Sequence, residues 1–171
     1  MDAVETLKRS EVFLGLDDAS LQKIADLPSC QQYSYQAQEV IFESGGEAGY
    51  FYVVEEGAVN LVLRESADLS RLPKQNVVRT VTQGGTFGWS AVIPPHFRIL
   101  GATAKGSCKV LAVSGKELLA LFDREPQLGY EVMNSLLRVI ATSFRNIEQL
   151  LVTGKGSLFF ERQKPGTTQT G

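Results

Sequence analysis

Between residues 29 and 113 the apolar residues fall in short runs rich in Val, Tyr, Phe, Ile and Thr, separated by glycine-bearing turns at Gly45-Gly46, Gly57, Gly84-Gly85 and Gly106. Short β-rich runs punctuated in this way predict an antiparallel barrel or roll. Residues 58–63 alternate as a half-buried strand does. Residues 65–76 are polar, contain Pro73, and predict a long surface connection ahead of a strand over 77–81.

The hydrophobic period changes on either side of this region. Asp17 and Asp18 precede Leu21, Ile24, Ala25 and Leu27, with Pro28 just beyond, which predicts a capped helix over 17–27. After Val113, Ser114 and Glu117 have capping-box spacing ahead of Leu118, Leu119, Leu121 and Phe122. Pro126 suits a first helical turn, and no further proline interrupts the chain as far as Leu151. Residues 115–151 therefore read as two helices. In the second, Met133, Leu137, Ile140, Phe144, Ile147 and Leu151 are spaced four, three, four, three and four apart, a seam suited to a parallel homodimer through residues 127–151. The alternative is that the same stripe packs onto its own barrel. Leu136, Val139 and Leu150 widen the apolar surface beyond one face. The segment 152–171 is rich in Gly, Thr, Gln and Lys and is expected to be a mobile tail, leaving residues 1–151 as one domain.

Charge and chemistry narrow the function. The net charge is −2 with lysines and arginines scattered, so no basic stripe is available for a nucleic-acid backbone and direct nucleic-acid binding is not expected. Cys30 and Cys108 stand far apart with a single histidine in the chain, which excludes zinc-finger and iron–sulfur spacings and suits reduced thiols. His96, beside Pro94 and Pro95, has no evident second ligand for haem or metal. Residues 1–21 carry acidic groups and no continuous apolar run, so neither a signal peptide nor a membrane span is expected, and the location expected is cytoplasmic. No nucleophile–base pair, paired-carboxylate motif or metal cluster is visible, so an enzyme is not expected.

Three motifs carry a family resemblance. Residues 46–59, Gly-Glu-Ala-Gly-Tyr-Phe-Tyr-Val-Val-Glu-Glu-Gly-Ala-Val, resemble a family signature of turn, strand, glycine turn and second strand, which implies that the glycine at 57 closes a tight hairpin between two core strands. Gly84-Gly85-Thr86-Phe87-Gly88 precedes a short apolar helix over 89–93, and Cys108 opens the aliphatic run to Val113. Over residues 12–151 the chain resembles the cyclic-nucleotide-binding domain of the catabolite-activator and protein-kinase-regulator superfamily. The resemblance implies a mainly β fold with flanking helices: a double-stranded β-helix (jelly-roll) barrel followed by a long C-terminal helix.

It also implies a phosphate-binding cassette at Phe87, Gly88, Trp89, Ser90 and Ala91, where backbone amides at a helix start meet an anion that one arginine neutralises. In the family a glutamate directly after the cassette glycine accepts a ribose hydroxyl; here that position is Trp89. Counting from Gly88 or back from Cys108 puts Arg98 on the arginine position, whereas aligning Ala102-Thr103 with the family's alanine-threonine pair puts Leu100 there. In either register the small hydroxyl residue that usually follows is replaced, by Ile99 or Gly101. Losing the carboxylate removes a charged hydrogen bond worth about 1.5–3 kcal/mol to the sugar.

Two functions follow. One is a stand-alone regulatory module that binds an anionic small-molecule effector, a cyclic nucleotide or another, requires no cofactor, and signals through its C-terminal helix. The other is a pseudo-sensor whose pocket is closed by Trp89 and whose fold serves as a protein-interaction scaffold. In the catabolite-activator relatives a helix-turn-helix domain follows the long helix. The glycine- and threonine-rich tail here cannot supply a recognition helix, so output is expected through a protein partner or the homodimer.

Overall fold

Each short apolar run offers alternate side chains to a common interior. In the computed structural model, which describes residues 2–64 and 75–152, the runs become eight strands. They are β1 (Gln31–Tyr35), β2 (Val40–Phe42), β3 (Tyr50–Glu56), β4 (Ala58–Arg64), β5 (Gln75–Thr82), β6 (Thr86–Phe87), β7 (Gly101–Ala104) and β8 (Cys108–Ser114). All pairings are antiparallel and give two sheets, ordered β1-β8-β3-β6 and β2-β7-β4-β5. The sheets form a jelly-roll-like pair and do not close into a single barrel. Residues of both meet in one core, with Tyr52, Val54, Phe87 and Val110 from the first sheet against Val59, Val81, Ala102 and Ala104 from the second.

Gly57 does not close a hairpin. The strands on either side of it, β3 and β4, belong to different sheets, and its φ of +79° turns the chain from one to the other. A β-carbon there would meet the Ser107 carbonyl at 2.5 Å, so the crossing needs glycine for space as well as for conformation. The strand predicted from residue 77 begins earlier, because Gln75 and Asn76 extend the ladder opposite Arg64 and Leu63. Most of the predicted surface connection, residues 65–74, lies outside the described residues, as does the predicted tail beyond Val152.

The strand β3 is buried along five consecutive residues, Phe51 to Glu55, and so is covered on both faces. Tyr52 and Val54 point into the core, while Phe51 packs edge-on against Phe13 with ring centroids 5.8 Å apart. Phe13 follows α1 (Ala3–Lys8), a helix the apolar pattern does not single out, and precedes α2 (Asp18–Ala25). The Asp17 carboxylate caps α2 by accepting from the Ser20 N–H at 2.7 Å.

The helix α3 (Gly115–Arg124) starts at the predicted cap, with the Ser114 hydroxyl accepting from the Glu117 N–H at 3.5 Å. The Glu117 carboxylate does not return to Ser114. It accepts from the Ser29 hydroxyl at 2.7 Å, and Ser29 in turn accepts from the Ser114 N–H at 2.9 Å, so β1's approach is inserted into the capping box.

The helix α4 (Pro126–Val152) buries Leu128, Val132 and Leu136, a stripe displaced from the predicted seam. On that seam Met133 and Ile140 are half-buried, and Leu137 and Phe144 are exposed; the side chains of Ile147 and Leu151 lie outside the described set. By contacts the chain divides into Met1–Leu137 and Arg138–Gly171, the described part of the second being the continuation of α4.

Candidate functional site

Pairing of Thr86 and Phe87 with Val53 and Tyr52 brings the second glycine-rich motif against the centre of β3. Gly88 leaves the strand with φ +73°, and a β-carbon on it would meet the Tyr50 carbonyl at 2.8 Å and the Tyr52 ring at 2.9 Å. The chain can pass here only because residue 88 is glycine. The helix predicted over 89–93 is one 3-10 turn, Trp89–Ala91. It cannot continue, because Pro94 and Pro95 lack N–H groups and push the preceding residue toward extended backbone. His96 closes the loop by donating from Nδ1 to the Ser90 carbonyl at 3.0 Å, a structural contact.

Arg98 is pinned by its backbone. Its N–H donates to Gly46 at 2.9 Å and its carbonyl accepts from Gly45 at 2.7 Å. The start of the first motif is thereby tied to the segment that carries Arg98, and the guanidinium is held with its central carbon 3.8 Å from the centroid of the Phe42 ring. Phe42 continues into an aromatic layer, 5.5 Å from Tyr52 and 6.0 Å from Phe87, with Tyr52 and Phe87 stacked at 4.8 Å. Burial pushes the Tyr52 phenol up from its ordinary value, and the facing Arg98 guanidinium opposes the rise. Arg98 Nε is buried without a hydrogen-bond partner, and no carboxylate among the described residues pairs with the group.

Beside this cation lies a cleft of about 200 Å³. Of the predicted residues, Phe87, Gly88, Trp89, Ser90 and Arg98 line it. Ala91 does not: it is buried behind the turn. The lining also includes Phe42, Leu61, Ile99 and Leu100. Both registers considered for the arginine position therefore reach the cleft, and Arg98 is the one that brings charge. Trp89 is half-buried in the wall, with the cleft open beside it.

The Trp89 indole is fixed from behind by residues that sequence spacing cannot connect. Its Nε1–H donates to Thr86 Oγ1 at 3.0 Å, and Thr86 donates to Glu11 Oε1 from its hydroxyl at 3.1 Å and from its backbone N–H at 2.9 Å. The Arg79 guanidinium lies 4.8 Å from the indole centroid and 3.9 Å from the same Glu11 oxygen. Burial holds Arg79 below its usual value, and Glu11 opposes this.

A sheet pair with a glycine-led turn beside a half-buried arginine frames a candidate ligand cleft, and similarity to known proteins gives the family. The cyclic nucleotide-binding domain family matches residues 32–125, more than half of the chain, and the chain belongs to that family. Family members are regulatory domains and typically non-catalytic. A candidate cyclic nucleotide-binding protein from Geobacter metallireducens GS-15 is similar at 25% identity, covering 84% of this chain and 99% of that one, with a TM-score of 0.70. The fold is shared with the catabolite activator protein of Thermus thermophilus, at 22% identity, 82% and 63% coverage and a TM-score of 0.64. It is also shared with the regulatory domain of Toxoplasma gondii PKA, solved with cAMP, at 24% identity, 82% and 49% coverage and a TM-score of 0.63. No curated protein matches the chain significantly by sequence. Among the described residues no helix is long and apolar enough to cross a membrane, and no group of three or more His, Cys, Asp or Glu could hold a metal ion.

Proposed function

We propose that this domain senses a small anionic effector, cyclic nucleotides among the candidates, in the cleft formed by Phe87–Ser90 and Arg98. The observation that carries this reading is the Arg98 guanidinium, stacked on Phe42, without a carboxylate partner among the described residues and at the wall of an open cleft. A cation so placed retains affinity for an anion, because its neighbours among the described residues supply ring faces and the Tyr52 phenol but no full counter-charge.

The signal leaves by backbone contact. Ala91, at the end of the turn, packs its carbonyl against Gly115, the first residue of α3. A ligand that moved the turn would bear directly on α3 and on α4 after it, provided it bound one arrangement better than the other. Output passes through a homodimer formed by the seam of α4 or through a protein partner. The open cleft beside Trp89 favours this reading over a closed-pocket scaffold. The free thiols of Cys30 and Cys108 accord with a reducing, cytoplasmic setting.

The test is a set of thermal melts of the wild type and of Arg98→Met against cyclic AMP, cyclic GMP, cyclic dinucleotides and small organic phosphates. A ligand that binds only the folded state raises the Tm, and the rise should vanish in Arg98→Met. No rise with any anion at a concentration far above that of the protein would refute the sensor reading.

A further inference from the structure

We propose that the cleft takes a small amphiphilic anion, a carboxylate or phosphate carried on an aromatic or short aliphatic body, in preference to a nucleotide. This rests on the anion-sensing reading above and adds the chemical class of the effector.

Among the described residues the charge of the cleft comes from one group: of those that line it Arg98 alone is ionic, and the other side-chain polar functions are the Ser90 hydroxyl and the Trp89 N–H. The second of these is already donated to Thr86 Oγ1. Among the described lining residues none is a carboxylate that could accept the paired hydroxyls of a sugar. A polyhydroxylated ring placed here would give up water for the faces of Phe42, Phe87 and Trp89, an exchange that leaves its donors unmatched. An apolar body makes the same exchange favourably.

The size agrees. Pockets for drug-sized ligands span roughly 300–1,000 Å³, whereas this cleft holds about 200 Å³. At its rim Ile99 is 74% exposed and the neighbouring Phe97 is 50% exposed, large apolar side chains left to water. Apolar surface of this kind at the mouth of a one-cation cleft fits a ligand whose apolar body extends from its charged head.

Calorimetric titration of the full chain with phenyl phosphate, phenylacetate, cyclic AMP and inorganic phosphate tests the class. We expect at least one aryl anion to bind saturably, at least about tenfold tighter than both cyclic AMP and inorganic phosphate, and to lose that binding in Arg98→Met. Cyclic AMP or inorganic phosphate binding as tightly as the aryl anions would overturn the ligand class and leave the anion-sensing reading standing. Binding by none of the four would overturn the ligand class, and aryl-anion binding unchanged in a folded Arg98→Met would overturn both readings. Should Arg98→Met not fold, Ile99→Asp at the exposed rim places a negative charge beside the cleft. It should weaken aryl-anion binding by about tenfold or more, and unchanged affinity would overturn the proposal.

Discussion

The carbonyl oxygen of Ala91 occupies the space in which a β-carbon on Gly115 would have to sit, so the turn beside the cleft and the first residue of α3 touch through their backbones. The Gly115 N–H is held at the same time by the Gly49 carbonyl at 2.9 Å, which ties the start of α3 to the approach to β3 as well. Neither contact leaves room to relax, because Ala91 is 3% exposed and packed on its other side.

Gly115→Ala therefore overpacks the junction. The expected loss is about 1–3 kcal/mol of unfolding free energy in urea, in spite of alanine's better helix propensity. An unchanged or raised stability would show that the turn and α3 separate freely, and would remove the route by which the turn is proposed to move α3.

Glu11 tests the support behind Trp89. Glu11→Ala leaves the N–H and hydroxyl of Thr86, a residue with no exposed surface, without their acceptor, at a cost of about 1–3 kcal/mol. Glu11→Gln keeps an acceptor oxygen and should retain most of the stability. Trp89 is the chain's one tryptophan, so its emission reports the indole directly and should shift to longer wavelength in Glu11→Ala. Identical emission in the two variants would mean that the indole is held by packing alone.

These two junctions also mark where sequence legibility stops. The strand-turn-strand runs, the Asp17 cap and the Ser114 cap could be read locally, because period and capping chemistry act within a few residues. Gly88 and Arg98 were placed through the family resemblance, with Leu100 as the other register for the arginine position, and all three line the cleft. Glu11 reaches Thr86 from outside the β-roll, and Phe42 reaches Arg98 from a strand whose partner is β7, so no local pattern announces either. Gly57 was misread for a related reason: a glycine with positive φ permits both a hairpin and a change of sheet, and only the pairing of β3 and β4 with other strands separates the two. The strip 128–132–136 on α4 lost to the more regular seam beside it, since periodicity ranks stripes without saying which one meets the domain.

Cys30 gives a pH dependence with a definite sign. Burial, reinforced by the nearby Glu117 carboxylate, pushes its thiol from 9.0 up to about 11. Below the ordinary value both folded and unfolded chains hold the proton, and this residue makes no difference between them. As pH rises past 9.0 the unfolded thiol ionises first, so stability falls until about 11, where the folded thiol ionises too. Cys108 is raised in the same direction, so Cys30→Ala should flatten the decline without abolishing it. Urea unfolding of both proteins across this window decides the matter, and parallel declines would exclude Cys30 as a source.

The exposed seam of α4 tests the proposed homodimer. Leu128, Val132 and Leu136 are consumed by packing, yet Leu137 remains 64% exposed and Phe144 60% exposed, beside the half-buried Met133 and Ile140. Large apolar groups repeated along one helix face are stabilised when a second helix covers them, and knobs-into-holes packing of two such seams would do so in parallel. The wild type should sediment as a dimer at micromolar concentration. Leu137→Ser combined with Phe144→Ser should sediment as a monomer with little change in melting temperature at high dilution, where the wild type too is dissociated, because neither side chain is buried in the single chain. A monomeric wild type would remove the homodimer from the signalling route and leave the protein partner to cover this face.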